Sequence, residues 1–263
     1  MSLASFETTL FEIRERAAWI TMNRPASRNA LSAAMLGELS ARFRTAMNDS
    51  AVRAIVLTGT GTVFCAGADL KSRGAGIAGG PTDNAFVEVL TQMREGPKPV
   101  ICAVNGHAYG GGIGLIAAAD IALAVRGAKF AFSEVRVGVI PAIISVVVLP
   151  KLGEHHAMRL FLTGRQFSAE EALDYGLLHR IVKADALDRS VRDEIDAIGK
   201  GAPGAVAEAK RLVRKIPRLV PTDAYAYAAE KLAKIFASAE AAEGMAAFAQ
   251  KRSPSWAASD DET

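Results

Sequence analysis

Apolar runs with strand-like composition recur along the first half of the chain, at "ETTLFEIRE", "AAWITMN", "RAIVLTG", "PVICAVN" and "DIALAV". The segments 32–48, 83–95 and 111–119 have helical composition instead. This rhythm predicts an α/β fold of repeated strand–strand–helix turns. After about residue 200 the strand signals vanish. "GAVAEAKRLVRKI" and "AYAYAAEKLAKIFASAEAAEGMAAFAQKR" are Ala-rich and periodic, which predicts a helical C-terminal section. Ser168 followed by Glu171 reads as a capping box opening the helix "SAEEALDYG", with Gly176 as its stop. The longest apolar stretch, "VGVIPAIISVVVLP" at 137–150, is shorter than the ~20 residues a bilayer crossing needs and is broken by Gly138 and Pro141. No membrane span is expected. "SRGAGIAGGP", 72–81, has no periodicity and reads as a mobile loop.

Composition narrows the classes further. A chain of 263 residues, 50% of them hydrophobic, can bury a large core, as one big domain or one domain with an appendage. Thirty-one basic against 28 acidic residues give a formal charge of +3, too little for a dedicated nucleic-acid binder. The one basic run, "KRLVRKIPR" at 210–218, is interleaved with Leu212, Val213 and Ile216 and reads as the solvated face of an amphipathic helix. Cys65 and Cys102 lie too far apart for metal-ligand spacing and are expected to be reduced thiols. The N-terminus carries acidic residues where a secretory signal has basic ones, so a cytoplasmic location is expected.

Two small-residue turns are the candidate chemistry. "TVFCAGADL" ends an apparent strand with Ala66, Gly67 and Ala68, and "HAYGGGIGL" places Gly110, Gly111 and Gly112 at the mouth of an apolar helix. Two such turns can each offer a backbone N–H to one oxygen, and a helix starting near Gly111 adds its positive end, which together make an oxyanion hole. Tight packing of strand against helix explains the same residues. Glu134 follows the apolar "KFAF", where desolvation would raise its pKa toward a value suited to proton transfer; a surface residue paired with Arg136 is the plainer reading. His107 and Tyr109 read as packing residues. His155 and His156 have no Cys, Asp or Glu partners in ligand spacing, so no metal is expected. Cys65 has no base near it in sequence. "GGGIGL" fails the dinucleotide pattern because Leu115 stands where a glycine is required, and no phosphate-loop motif with Lys-Ser/Thr is present.

The ordered motifs "NRPASRNAL", "FCAGADL", "AVNGHAYGGGIGL", "FSEVRVGVIP" and "EGMAAFAQKRSPSW" resemble those of the enoyl-CoA hydratase/isomerase (crotonase) superfamily over nearly the whole chain. The resemblance implies an α/β crotonase-like spiral over residues 1–200, carrying an acyl-CoA site. Residues 201–263 would form a helical region used for trimerisation, often into dimers of trimers, and for closing the CoA pocket. It implies that the N–H groups of Ala66 and Gly111 bind a thioester oxygen and that Ala66, Gly67, Ala68 and Asp69 line the CoA pocket. Arg28 would pair with CoA phosphates. Phe248 and Lys251 match positions that touch the adenine end, often from a neighbouring subunit. Glu134 matches the acid/base glutamate. No metal or redox cofactor is implied, coenzyme A being part of the substrate, and neither nucleic acid nor membrane is expected as a partner.

One position departs from the pattern. Typical two-glutamate hydratases have a second Glu where this chain has Gly114. Three reactions stay open: hydration with Glu134 alone, as in members assigned to methylglutaconyl-CoA or related branched enoyl-CoA substrates; Δ3-Δ2 enoyl-CoA isomerisation, for which one glutamate suffices; and another acyl-CoA reaction such as hydrolysis or decarboxylation. A non-enzymatic CoA- or RNA-binding role is the reading from a different class. Acyl selectivity is expected from 72–95 and from "IPAIISVVV".

Overall fold

The chain opens as an antiparallel hairpin, β1 (Thr9–Arg14) on β2 (Ala17–Met22), its turn carried by Glu15 and Arg16 at φ 52° and 58°. α1 (Ala33–Asn48) follows, begun where the Ser32 side chain accepts from Met35 N–H. The computed structural model describes residues 6–69 and 84–257. The Gly-rich segment 72–81 lies outside the described residues.

From β3 onward one unit repeats: a strand in a large sheet, a short strand in a small sheet, then a helix. The three units are β3 (Ala54–Gly59), β4 (Val63–Cys65) and α2 (Ala85–Glu95); β5 (Val100–Val104), β6 (His107–Tyr109) and α3 (Gly111–Ala118); and β7 (Ile121–Val125), β8 (Lys129–Ala131) and α4 (Ala142–Thr163). The large sheet runs β1-β2-β3-β5-β7-β10, with β10 at Arg180–Val182, and is parallel beyond the hairpin. The small sheet runs β4-β6-β8-β9, with β9 at Gln166–Ser168 pairing antiparallel to β8. Every residue of β5 is buried, which is why parallel strands covered on both faces read as unbroken apolar runs. This is the α/β fold of repeated strand–strand–helix turns that the periodicity predicts, wound as the spiral that the resemblance implies.

α4 is where local propensity loses. Its "IISVVV" favours strand, yet it is helical because Ile144, Val147 and Val148 pack into the core against α3. The helix is interrupted at Gly153, whose φ of 66° and ψ of 168° turn the chain. α5 (Ala169–Asp174) carries the expected capping box, with Ser168 and Glu171 each bonding the other's backbone.

Beyond Val182 the described chain is helical, through α6 (Leu187–Gly199), α7 (Pro203–Lys215), α8 (Pro221–Phe236) and α9 (Ala239–Ala249). No helix among the described residues is long and apolar enough to cross a membrane. The basic run is not simply a solvated face. Lys210, its side chain only 6% exposed, bonds Asp120 and the carbonyls of Met93 and Lys98, and Arg214 reaches the other Asp120 oxygen. The cations follow a 3.6-residue period, so those on the inward side of α7 meet the half-buried carboxylate of Asp120 instead of water.

Candidate active site

The two small-residue turns meet. Gly67, at φ +84°, approaches so closely that a Cβ there would lie 2.8 Å from Tyr109 O and 3.3 Å from Gly111 N. The Ala66 turn is held by Leu31, which donates to Gly67 O at 2.8 Å and accepts from Asp69 N–H at 3.2 Å. In that parallel bridge the N–H of the middle residue, Ala68, points away from Leu31. It finds no acceptor among the described residues. Ala66 does: its N–H donates to Arg28 O at 2.9 Å. The Arg28 carbonyl therefore already occupies the N–H of Ala66, expected to be the oxyanion donor, and the N–H that this turn leaves open is that of Ala68. Gly111 is the first residue of α3, so its N–H lacks an intrahelical partner, and it too meets no acceptor among the described residues. Packing, the competing reading of the glycines, holds for Gly112, where a Cβ would strike Cys65 O at 2.6 Å.

Glu134 opens a 3₁₀ turn (Glu134–Val137) and lays its carboxylate against Gly110. A Cβ on Gly110 would come within 2.9 Å of Oε1. Oε2 is buried and without a hydrogen-bond partner. Burial pushes the Glu134 pKa up, partly opposed by a backbone hydrogen bond. The salt-bridge reading fails here, since Arg136 donates to Thr163 O instead. Two unengaged N–H groups, a helix N-terminus and a desolvated carboxylate thus surround one spot.

Gly114, one turn into α3, shows what replaced the second carboxylate. A Cβ there would overlap Ile144 Cγ2 and sit 3.1 Å from Ile144 Cβ and 3.4 Å from the Phe86 ring. The slot is filled by hydrocarbon from α4 and α2. The same two helices also line a cavity of about 550 Å³, walled by Val87, Leu90 and Thr91 of α2 and by Ile143, Val146 and Val147 of α4.

The remaining predicted residues divide. Arg28 is exposed at φ 53°, and it is its carbonyl that meets the turn. Asp69 pairs with Arg24 at 3.1 Å, which ties the loop 24–28 to the oxyanion turn. Buried Asn29 organises that loop by accepting from Arg24 N–H and donating to Thr60 O and Val63 O; a lone Asn between Arg28 and Ala30 gives no burial signal in the sequence. Phe248, 88% exposed, and Lys251 stand at the end of α9, which packs on α8, and no hydrogen bond or ion pair among the described residues draws them to the site. His107 accepts from Lys129 N–H, and His156 stacks on Tyr175 at 4.1 Å, both structural roles. Both cysteines are free and buried.

A family model described as enoyl-CoA hydratase/isomerase matches residues 12–259. The chain belongs to that family. This crotonase-family enzyme is 37% identical to the carnitinyl-CoA dehydratase of Proteus mirabilis (strain HI4320), over 90% of this chain and 93% of that protein. Among solved structures, Pseudomonas aeruginosa AtuE is similar at 37% identity and a TM-score of 0.88, covering 96% of this chain and 100% of that one. An enoyl-CoA hydratase of Mycobacterium smegmatis superposes with a TM-score of 0.87 at 34% identity, covering 96% and 100%. The spiral is thus the crotonase fold, and an acyl-CoA substrate accords with the family.

Proposed function

We propose that this protein is an enoyl-CoA hydratase that adds water across the 2,3 double bond using Glu134 as its one carboxylate. The observation that carries the reading is the buried, unpartnered Oε2 of Glu134 beside the open N–H groups of Ala68 and Gly111. The thioester oxygen accepts from both N–H groups and from the positive end of α3, which lowers the energy of the enolate. Glu134 takes a proton from water as the oxygen bonds C3; the enolate electrons then collect that proton at C2, and the carboxylate is regenerated. Gly67 and Asp69 shape the CoA wall, Arg28 offers its exposed guanidinium to a CoA phosphate, and Phe248 and Lys251 serve the adenine end of a neighbouring subunit's site. That arrangement calls for a trimer or dimer of trimers, in keeping with the exposed Tyr225, Phe236 and Phe248 of the helical region, and for no metal or redox group.

Ultraviolet absorbance of the conjugated thioester tests the reaction. Loss of absorbance from a 2-enoyl-CoA, abolished in Glu134→Gln, is the expected result. Isomerisation is the second reading, favoured by the hydrocarbon at Gly114, which leaves one carboxylate to shuttle a proton between C2 and C4. A gain of absorbance from a 3-enoyl-CoA, with none lost from the 2-enoyl-CoA, would establish it. Salt-sensitive RNA affinity without CoA binding would overturn both.

A further inference from the structure

The open N–H of Ala68 is one end of a hydrogen-bonded chain, and a charged side chain stands at the other. Leu31 N–H donates to Gly67 O at 2.8 Å. That carbonyl shares a planar trans peptide group with the Ala68 N–H, which therefore points the opposite way. The bond from Leu31 thus sets the direction of the open donor. The Leu31 N–H in turn shares its peptide group with the Ala30 carbonyl, and Ala30 O accepts from Arg24 Nη1 at 3.1 Å. Two hydrogen bonds and two peptide groups, aligned donor to acceptor, connect the guanidinium to the open N–H.

Arg24 is held in place for this. The same Nη1 lies 3.1 Å from Asp69 Oδ2, with the two side chains 27% and 12% exposed. At its backbone, Arg24 N–H donates to Asn29 Oδ1 at 2.9 Å and Arg24 O accepts from Ser27 and Asn29. Joining the two strands does not require the clamp, because Leu31 N–H to Gly67 O and Asp69 N–H to Leu31 O already close the bridge. What Arg24 adds is charge. A peptide whose carbonyl accepts from a cation becomes a stronger N–H donor, and hydrogen bonds in series polarise one another. The other open donor draws on a different source: Gly110 O, in the peptide group that carries the Gly111 N–H, accepts from Ile113 and Gly114 and so belongs to the ladder of α3.

We propose that Arg24 is a positioning residue for the oxyanion hole, its guanidinium acting through the Ala30–Leu31 and Gly67–Ala68 peptide groups to aim the Ala68 N–H and strengthen it as a donor to the thioester oxygen. The inference rests on the reading that this oxygen sits between Ala68 and Gly111. α3 then serves one donor and Arg24 the other.

The infrared carbonyl stretch of bound butyryl-CoA, isotope-labelled at its thioester carbonyl, tests it without turnover. Polarisation by the two N–H groups should lower the frequency in the parent relative to free butyryl-CoA. Arg24→Gln, which removes the charge, should give back roughly a third of that shift, the scale of cooperative strengthening over two bonds, and Arg24→Lys should keep most of it. The shift is read from the bound complex, so weaker binding or a less stable fold does not imitate the effect. In crotonyl-CoA hydration, Arg24→Gln should lower kcat about tenfold with KM little changed, short of the 10²- to 10³-fold that follows loss of a whole donor. The full parental shift in Arg24→Gln overturns this inference alone. Equal losses in Arg24→Gln and Arg24→Lys overturn it too, because charge is then not what acts. A parent with the shift but no hydration removes the proposed reaction alone, and a parent without the shift removes the oxyanion reading and this inference with it.

Discussion

Glu134 and Gly110 are built around each other. The carboxylate stands where any side chain on residue 110 would be, with Oε1 2.9 Å from the position of a Cβ, and the glycine's φ of 47° and ψ of −114° turn the chain into α3 directly beneath it. The turn that aims the Gly111 N–H therefore also makes room for the acid/base group. One backbone excursion sets both halves of the candidate chemistry.

Glu134→Gln should lower kcat by about 10²- to 10⁴-fold, the usual contribution of a positioned general base. The parent's kcat/KM should fall as pH is lowered through the raised Glu134 pKa, since the base must be ionised. Stability should move the other way. A carboxyl whose pKa is raised on folding stabilises the native state fully only below its unfolded pKa, and that contribution is lost as pH rises through the folded value. The glutamine variant, which does not ionise, should match the parent in acid and exceed it near neutrality, as read by denaturant melts at the two pH values. A variant less stable than the parent at neutral pH would contradict this.

The assignment of Ala68 over Ala66 can be tested atom by atom. Replacing the Ala68 amide with an ester removes one N–H and leaves the side chain alone. Loss of a single oxyanion donor costs about 10²- to 10³-fold in kcat. The same replacement at Ala66 deletes the 2.9 Å bond to Arg28 O, so it should cost about 1 kcal/mol of stability with a much smaller effect on kcat. The reverse pattern would return the donor role to Ala66.

That pair marks the boundary of what was legible in the chain. The long strands β1, β2, β3, β5 and β7, helices α1 to α3 and the Ser168–Glu171 box could be read, because each carries several residues of period or a specific capping chemistry. The second sheet could not: β6, β8 and β9 are three residues each, too short to show alternation. α4 was hidden by β-branched residues whose burial against α3 decides their conformation. In the site, the small residues announced a close approach, but which N–H stays open depends on the carbonyl of Arg28, 38 positions before Ala66.

Cys65 adjoins the oxyanion turn, and its sulfur accepts from Gly67 N–H at 3.4 Å. Burial pushes its pKa up to about 12, and Cys102 is raised for the same reason. Thiolate is the reactive species, so neither should react with a maleimide in the folded protein. Both should label promptly in denaturant, and native labelling should follow the rate of global opening. Rapid native labelling of Cys65 would show a thiol exposed to reagent beside the site.

The last prediction concerns Gly114 and the residue that has taken its space. Gly114→Ala places a methyl into Ile144 Cγ2, with Ile144 Cβ at 3.1 Å. Overpacking of this kind costs about 1 to 3 kcal/mol, even though alanine favours helix over glycine by nearly 1 kcal/mol. Ile144→Ala alone leaves a cavity in a residue only 3% exposed and costs about 2 to 5 kcal/mol. If the two side chains compete for one volume, the double variant must be more stable than the sum of the single losses, with a coupling of about 1 kcal/mol or more. The same background decides whether the missing carboxylate can be restored. Gly114→Glu alone should fold poorly, its side chain driven into Ile144 and the Phe86 ring. Gly114→Glu with Ile144→Ala should recover stability and place a second carboxylate near Glu134, where it can hold water. Faster 2-enoyl-CoA hydration in that double variant than in Ile144→Ala would show that hydrocarbon at this slot limits the reaction; additive stability losses would show that Ile144 is not what keeps residue 114 a glycine.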